Sequence, residues 1–178
     1  MGVEFYIRKA KDKEYAILGE LIIKVYSSLD GFPSVSDNPD YYETFSNLQK
    51  LAQQKDTEIL VTVNKREGIL GGVVFYGQAK YYGSGVIETN YKKTSGIRLL
   101  AVKPEVRKRG IAKALTLDCI QRTMALGHTQ LMLHTTTSMK VAWKMYEKLG
   151  FTRWEDIDFE LNGMMIYGFK KNLGEHRG

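Results

Sequence analysis

Cysteine is nearly absent from this chain of 178 residues, where Cys119 stands alone. One thiol makes no internal disulfide and no cysteine zinc cluster. Histidine is as scarce, at positions 128, 134 and 176, so no metal is assigned. Long hydrophobic runs are missing too. The longest, Ile69 to Ala79, carries three glycines and reaches only about half a membrane span, so no membrane partner is expected. The start, Met1-Gly2-Val3-Glu4-Phe5, lacks the charged-then-apolar pattern of a signal peptide, and Tyr6 stands where a myristoylation signal has Ser or Thr. These absences point to a reduced, cytoplasmic compartment. Repeats and low-complexity segments are also lacking.

What is present is a core-forming composition. Hydrophobic residues make up 43% and aromatics 11% of the chain, which excludes disorder. The length fits one domain over 1–178, with a core from about 4 to 172. The net charge is +6, but it is polarised. Lys103, Arg107, Lys108, Arg109 and Lys113 cluster in one stretch, and Glu155, Asp156, Asp158 and Glu160 in another. A uniform basic coat would suit nucleic acid; this distribution does not, and no nucleic-acid partner is assigned.

Periodicity predicts a strand at 5–9, then a helix from Asp12 with Tyr15, Leu18, Ile22 and Val25 on one face. A loop precedes Asn38-Pro39-Asp40, a helix start with an Asn cap and Pro at the first position. Its inner face would be Tyr42, Phe45, Leu48 and Leu51. Strands follow at 58–64, 69–79 and 96–102, with a long loop over 80–95. A helix at about 109–127, a strand at 129–134, a helix at 138–149 and strands at 151–157 and 163–171 complete the order. Hairpins mixed with helical crossovers make the class α/β (α+β), built on a mixed sheet.

The most informative segment is Arg107-Lys108-Arg109-Gly110-Ile111-Ala112-Lys113, between a strand ending Leu100-Ala101-Val102 and a helix. A helix start exposes amides without intrahelical partners, and its dipole favours anions. Small Gly110 and Ala112 let a phosphate approach the main chain, and the cations supply charge-assisted bonds. A solvated basic cap explains the same residues equally well.

Arg107-x-x-Gly110-x-Ala112 resembles the acetyl-CoA motif of the GCN5-related N-acetyltransferases (GNAT): Arg or Gln, two residues, Gly, one residue, Gly or Ala. A second block, Ala142 to Phe151, is similar to that family's Ala-x-x-Leu-Tyr-x-x-x-Gly-Phe, with Met145 in place of Leu. The resemblance implies a splayed mixed sheet of about seven strands flanked by four helices. It also implies acetyl-CoA as cofactor and transfer to a primary amine of a small molecule or peptide. The backbone of Leu100, Ala101 and Val102 would pair with the pantetheine arm. Amides from Arg107 through Ala112 would hold the pyrophosphate, and Lys108, Arg109 or Lys113 could meet the 3′-phosphate. Tyr146 would face the sulfur as the acid, although a core aromatic on the helix is the bland reading.

Two departures from the family stand out. Met139 replaces a frequent Asn, leaving Thr135, Thr136 or Ser138 to make its contact. Gly96 occupies the position where some members carry a glutamate base, and Arg98 in mid-strand is no base. An alkylammonium of pKa about 10.4 is neutral in only about one molecule per several thousand at pH 7, so the missing base matters. His134 and Glu88 are candidates, each with an ordinary structural alternative. The acceptor would meet Phe32, Tyr41 and Tyr42 as an aromatic wall. Asp156 and Asp158 would attract a cationic amine, unless the tyrosines pack the core and the acids solvate a loop. A CoA-binding sensor that transfers nothing is the alternative function. Both monomer and homodimer fit.

Overall fold

The computed structural model describes residues 4–83 and 91–174. Its strands are β1 (Tyr6–Lys9), β2 (Thr57–Asn64), β3 (Gly68–Tyr76), β4 (Thr94–Val102), β5 (Gln130–Thr135), β6 (Thr152–Arg153), β7 (Phe159–Leu161) and β8 (Met164–Asn172). Its helices are α1 (Tyr15–Ser27), α2 (Pro39–Ser46), α3 (Leu48–Ala52), α4 (Ile111–Ala125) and α5 (Lys140–Lys148). The sheet runs β1-β2-β3-β4-β5-β8-β6, with β7 paired to β8. Only β4–β5 is parallel among the described strands.

Eight strands and five helices correct the expected seven and four. The predicted second helix breaks at Asn47, whose φ of −123° and ψ of 40° leave the helical region. Its start is as expected: the Asn38 side chain accepts the Tyr41 N–H at 3.2 Å, and Pro39 opens the helix. The predicted strand at 151–157 shrinks to β6, because the chain turns into a 3-10 segment at Glu155–Ile157. The short β7 was not expected.

Alternating side chains feed two cores. Ile59, Val61, Val74 and Tyr76 pack with Leu18, Ile22, Tyr42 and Phe45 under α1 and α2. Leu60, Val73, Phe75 and Ile97 pack with Ile111, Leu115 and Cys119 of α4 and Tyr146 of α5. The sheet is therefore covered on both faces, which explains the near-continuous apolar runs of its central strands. Parity breaks at two places, on β3 near Leu70 and on β4. Val74 pairs with Arg98 but Gly72 with Ala101, so β4 carries one extra residue there. Leu99 takes a φ of +60°. This bulge puts Arg98 and Leu99, neighbours in sequence, on the α1 side.

An ion pair ties β1 to the start of α1. Arg8 Nη1 and Nη2 donate to Glu14 at 2.7 and 2.9 Å, and Glu14 also accepts the Lys11 N–H at 2.7 Å. Arg8 holds the Glu14 carboxyl down at about 2, against burial. A depressed carboxylate pKa stabilises the fold fully above the unfolded value and is lost as pH falls through the folded one. Urea unfolding should lose on the order of 2 kcal/mol between about pH 4.5 and 2 from this group. Glu14→Gln should remove that part of the acid slope and lower stability at neutral pH. An unchanged slope would show that the pair contributes nothing.

Candidate active site

The turn before α4 has unusual backbone geometry. Lys108 and Gly110 both take left-handed conformations, with φ of +64° and +79°. Such reversals curl successive amides toward one point. The Val106 and Arg107 amides bond back to Lys103 and Pro104, and the Ala114 amide bonds to Gly110. The amides of Lys108, Arg109, Gly110, Ile111, Ala112 and Lys113 between them have no backbone acceptor among the described residues, and no side chain there caps the helix. A Cβ built on Gly110 would meet nothing within 4 Å. The result is an open row of donors at the positive end of a helix of 15 residues. Arg107, Lys108 and Lys113 are exposed around it. Arg109 reaches Glu67 at 3.5 Å.

Beside this cradle the sheet opens. The β4–β5 pairing runs from Thr94–Gln130 to Ile97–Leu133 and stops, although β4 continues to Val102. The Lys103 amide bonds to Leu70 across β3. Strand alternation therefore turns the Ala101 peptide groups toward β3, and those of Leu100 and Val102 toward the open edge. The Leu100 carbonyl accepts the Tyr26 hydroxyl at 3.1 Å. A cleft of about 110 Å³ opens in the gap. Leu100, Thr135, Thr136, Met139, Ala142 and Tyr146 line its cofactor-facing part.

Tyr146 is 5% exposed, sits in the core under α4 and lines the cleft. Both readings of the sequence thus apply to one residue. Its hydroxyl has no hydrogen-bond partner among the described residues. Burial raises its pKa above the ordinary phenol range, so it remains a donor. Met139 is contacted by the Thr135 hydroxyl, 3.6 Å from its sulfur. The Thr136 hydroxyl is buried with no partner among the described residues, and Thr136 lines the cleft.

His134 lines the cleft, but both its nitrogens are engaged. Nε2 lies 2.7 Å from the Ile157 carbonyl and Nδ1 lies 2.9 Å from the Tyr82 hydroxyl. A carbonyl only accepts, so Nε2 carries the proton and Nδ1 accepts from Tyr82. Burial and the Arg98 cation push its pKa down to about 4. A neutral imidazole with no free lone pair orients Tyr82 and is a poor base for an ammonium. Tyr82 also accounts for Gly96: a Cβ there would meet the Tyr82 ring at 2.5 Å. The space a glutamate side chain would enter belongs to Tyr82. Glu88 lies outside the described residues.

At the acceptor end the predicted wall divides. Phe32 and Tyr41 line the cleft with ring centroids 5.8 Å apart. Tyr42 stands behind them, buried, its hydroxyl donating to the Pro33 carbonyl at 2.5 Å. The acids are elsewhere. Asp158 accepts two bonds from Arg153, at 2.9 and 2.6 Å, and a third from the Gly168 amide at 2.6 Å. It pins the 3-10 segment to β8, and those bonds hold its carboxyl low despite burial. Asp156 is exposed and does not line the cleft.

Residues 22–151 match the Acetyltransferase (GNAT) family. The chain belongs to that family. A mycothiol acetyltransferase of Streptosporangium roseum is 39% identical over 62 residues, covering 35% of this chain and 18% of that one. The similarity therefore spans less than a fifth of that relative's length. A GNAT-family acetyltransferase from Staphylococcus aureus Mu50 superposes with a TM-score of 0.72 at 16% identity, over 96% of this chain and 100% of that one. An acetyltransferase from Salmonella typhimurium, solved with its cofactor acetyl-CoA, superposes with a TM-score of 0.67 at 15% identity, over 98% and 96%.

Acetyl-CoA is the acetyl donor of GNAT acetyltransferases, and the residues of this one fit it. The unpartnered amides of 108–113 suit a pyrophosphate, and the open edge at Leu100 and Val102 suits the amides of a pantetheine arm. Two residues of the cleft escaped sequence reasoning. Tyr82 sat in a segment that looked like loop. Arg98 was visible as a strand cation, but its place in the cleft depends on where β4 and β5 part.

Proposed function

We propose that the chain is an N-acetyltransferase that moves an acetyl group from acetyl-CoA to the amine of a small molecule or peptide, by direct attack in a ternary complex. One observation carries the reading. The partnerless Tyr146 hydroxyl lines a cleft that opens at the edge of β4, the strand that leads into the amide cradle. Acetyl-CoA would supply an activated thioester. The amides of 108–113 would bind its phosphates, with Arg107, Lys108, Arg109 and Lys113 around them. The backbone of Leu100 and Val102 would align the arm as an added strand. Tyr146 would donate to the sulfur as the carbon–sulfur bond breaks and negative charge develops there. Holding both reactants in one cleft supplies the proximity term.

No base of suitable pKa lines the cleft among the described residues. The amine therefore has to be recruited neutral, its proton lost to solvent first. Thiol release from acetyl-CoA against a panel of amines tests both points. With a turned-over amine, kcat/KM should rise about tenfold per pH unit from pH 6 to 9, with no inflection near 6.5. A plateau above pH 7 would restore a base such as His134 or Glu88. Coenzyme A binding without transfer to any amine would favour a sensor.

A further inference from the structure

Among the described residues the cleft lining holds one charge: only Arg98 is ionised, and none of the lining residues is Asp or Glu. The tyrosines do not compensate. Burial raises the phenols of Tyr26, Tyr41 and Tyr82, Tyr41 to about 12, so all are neutral. Neutral His134 adds no anion. Arg98 itself is anchored on one side only. Its Nη1 donates to the Tyr82 carbonyl at 3.0 Å and its guanidinium sits 5.5 Å from the Tyr82 ring centroid. A guanidinium has five N–H donors; beyond the Tyr82 carbonyl only the neutral Tyr76 hydroxyl, buried beside it, interacts with them among the described residues, and no carboxylate does. A cation drawn from water without a counter-charge is costly. The Tyr82 ring and carbonyl hold the fork in place, and alternation along β4, in register with Val74 of β3, places it on the cleft side.

We infer that Arg98 is the anion subsite for the acceptor, and that the acceptor is an amine bearing a carboxylate, a free amino acid in chemical class. The inference rests on the proposed acetyl transfer and names its substrate. A planar guanidinium fork matches a carboxylate two-pronged, and it repels the ammonium of a polyamine or a lysine side chain. The rest of the acceptor end is apolar or aromatic, with Phe32, Tyr41, Phe159, Leu161 and Ile166. That wall suits an uncharged side chain. Among the described residues no acid lines the cleft to draw in a polycation: Asp158 is bonded to Arg153 and Asp156 lies outside.

The test pairs each amino acid with its carboxamide and adds polyamines, read by thiol release and by thermal shift of the CoA-loaded protein. Amino acids should exceed their amides at least 100-fold in kcat/KM. Arg98→Gln should abolish that preference while leaving coenzyme A affinity, measured by calorimetry, unchanged. Arg98→Lys, which keeps the charge without the fork, should lose most of it and guards against a folding defect. Equal or better use of amides or polyamines would overturn the inference while leaving acetyl transfer intact. Amino-acid thermal shifts that depend on Arg98, in a protein that transfers nothing, would uphold the subsite and refute the transferase reading. Shifts that persist in Arg98→Gln would overturn the subsite.

Discussion

Replacing Gly110 by valine is expected to weaken coenzyme A binding about 100-fold, with a smaller, separately measurable loss of stability from backbone strain. Gly110 has a φ of +79°, and α4 begins at the next residue. A β-branched residue in that conformation costs about 1–3 kcal/mol. No protein atom lies within 4 Å of the new Cβ, so packing adds nothing to the cost. The added methyl groups would instead stand over the free amides of 108–113. Hydrogen bonds to a charged partner contribute about 1.5–3 kcal/mol each. Losing one or two of them corresponds to about two decades in affinity. Calorimetry with coenzyme A, alongside a melting curve, separates the two effects. Undiminished binding by a folded Gly110→Val protein would move the phosphate site away from this turn.

Tyr146→Phe should lower turnover by about 100-fold and leave coenzyme A affinity nearly intact. A positioned acid contributes about 10²–10⁴-fold. The low end is expected because burial raises this phenol's pKa, so it acts by donating a hydrogen bond more than by giving up its proton. The ring also packs on Phe151, with centroids 5.6 Å apart, and phenylalanine keeps that contact. The hydroxyl has no protein partner to lose, so the melting temperature should hold. Unchanged turnover would leave Tyr146 as a core aromatic only.

Local signals in the chain were sufficient for much of this. The Asn38-Pro39 start of α2, the apolar runs of β2 and β3, and the Gly110 turn ahead of α4 each follow from residue chemistry over a few positions. Failures came where tertiary contacts override local preference. Leu48 and Leu51 continue the apolar period of α2, yet the chain breaks at Asn47 and starts again as α3. Thr152 to Ile157 has strand-like residues, yet Ile157 is buried in the α1-side core, so the strand stops after Arg153.

The site divides the same way. The sequence by itself determined the cofactor end, because a glycine-bearing turn before a helix carries its chemistry in consecutive backbone amides. Nothing distant is needed to expose them. The acceptor end depends on residues far apart in the chain, from Phe32 to Ile166, that meet only where β4 and β5 part. Side-chain charge in the sequence pointed to an acidic acceptor site. The tertiary structure decided otherwise, by bonding Asp158 to Arg153 and by inserting one extra residue in β4. That residue reverses the parity of the strand beyond Arg98, so Arg98, Leu99 and Ala101 all lie on the α1 side, an arrangement that residue-by-residue alternation does not give.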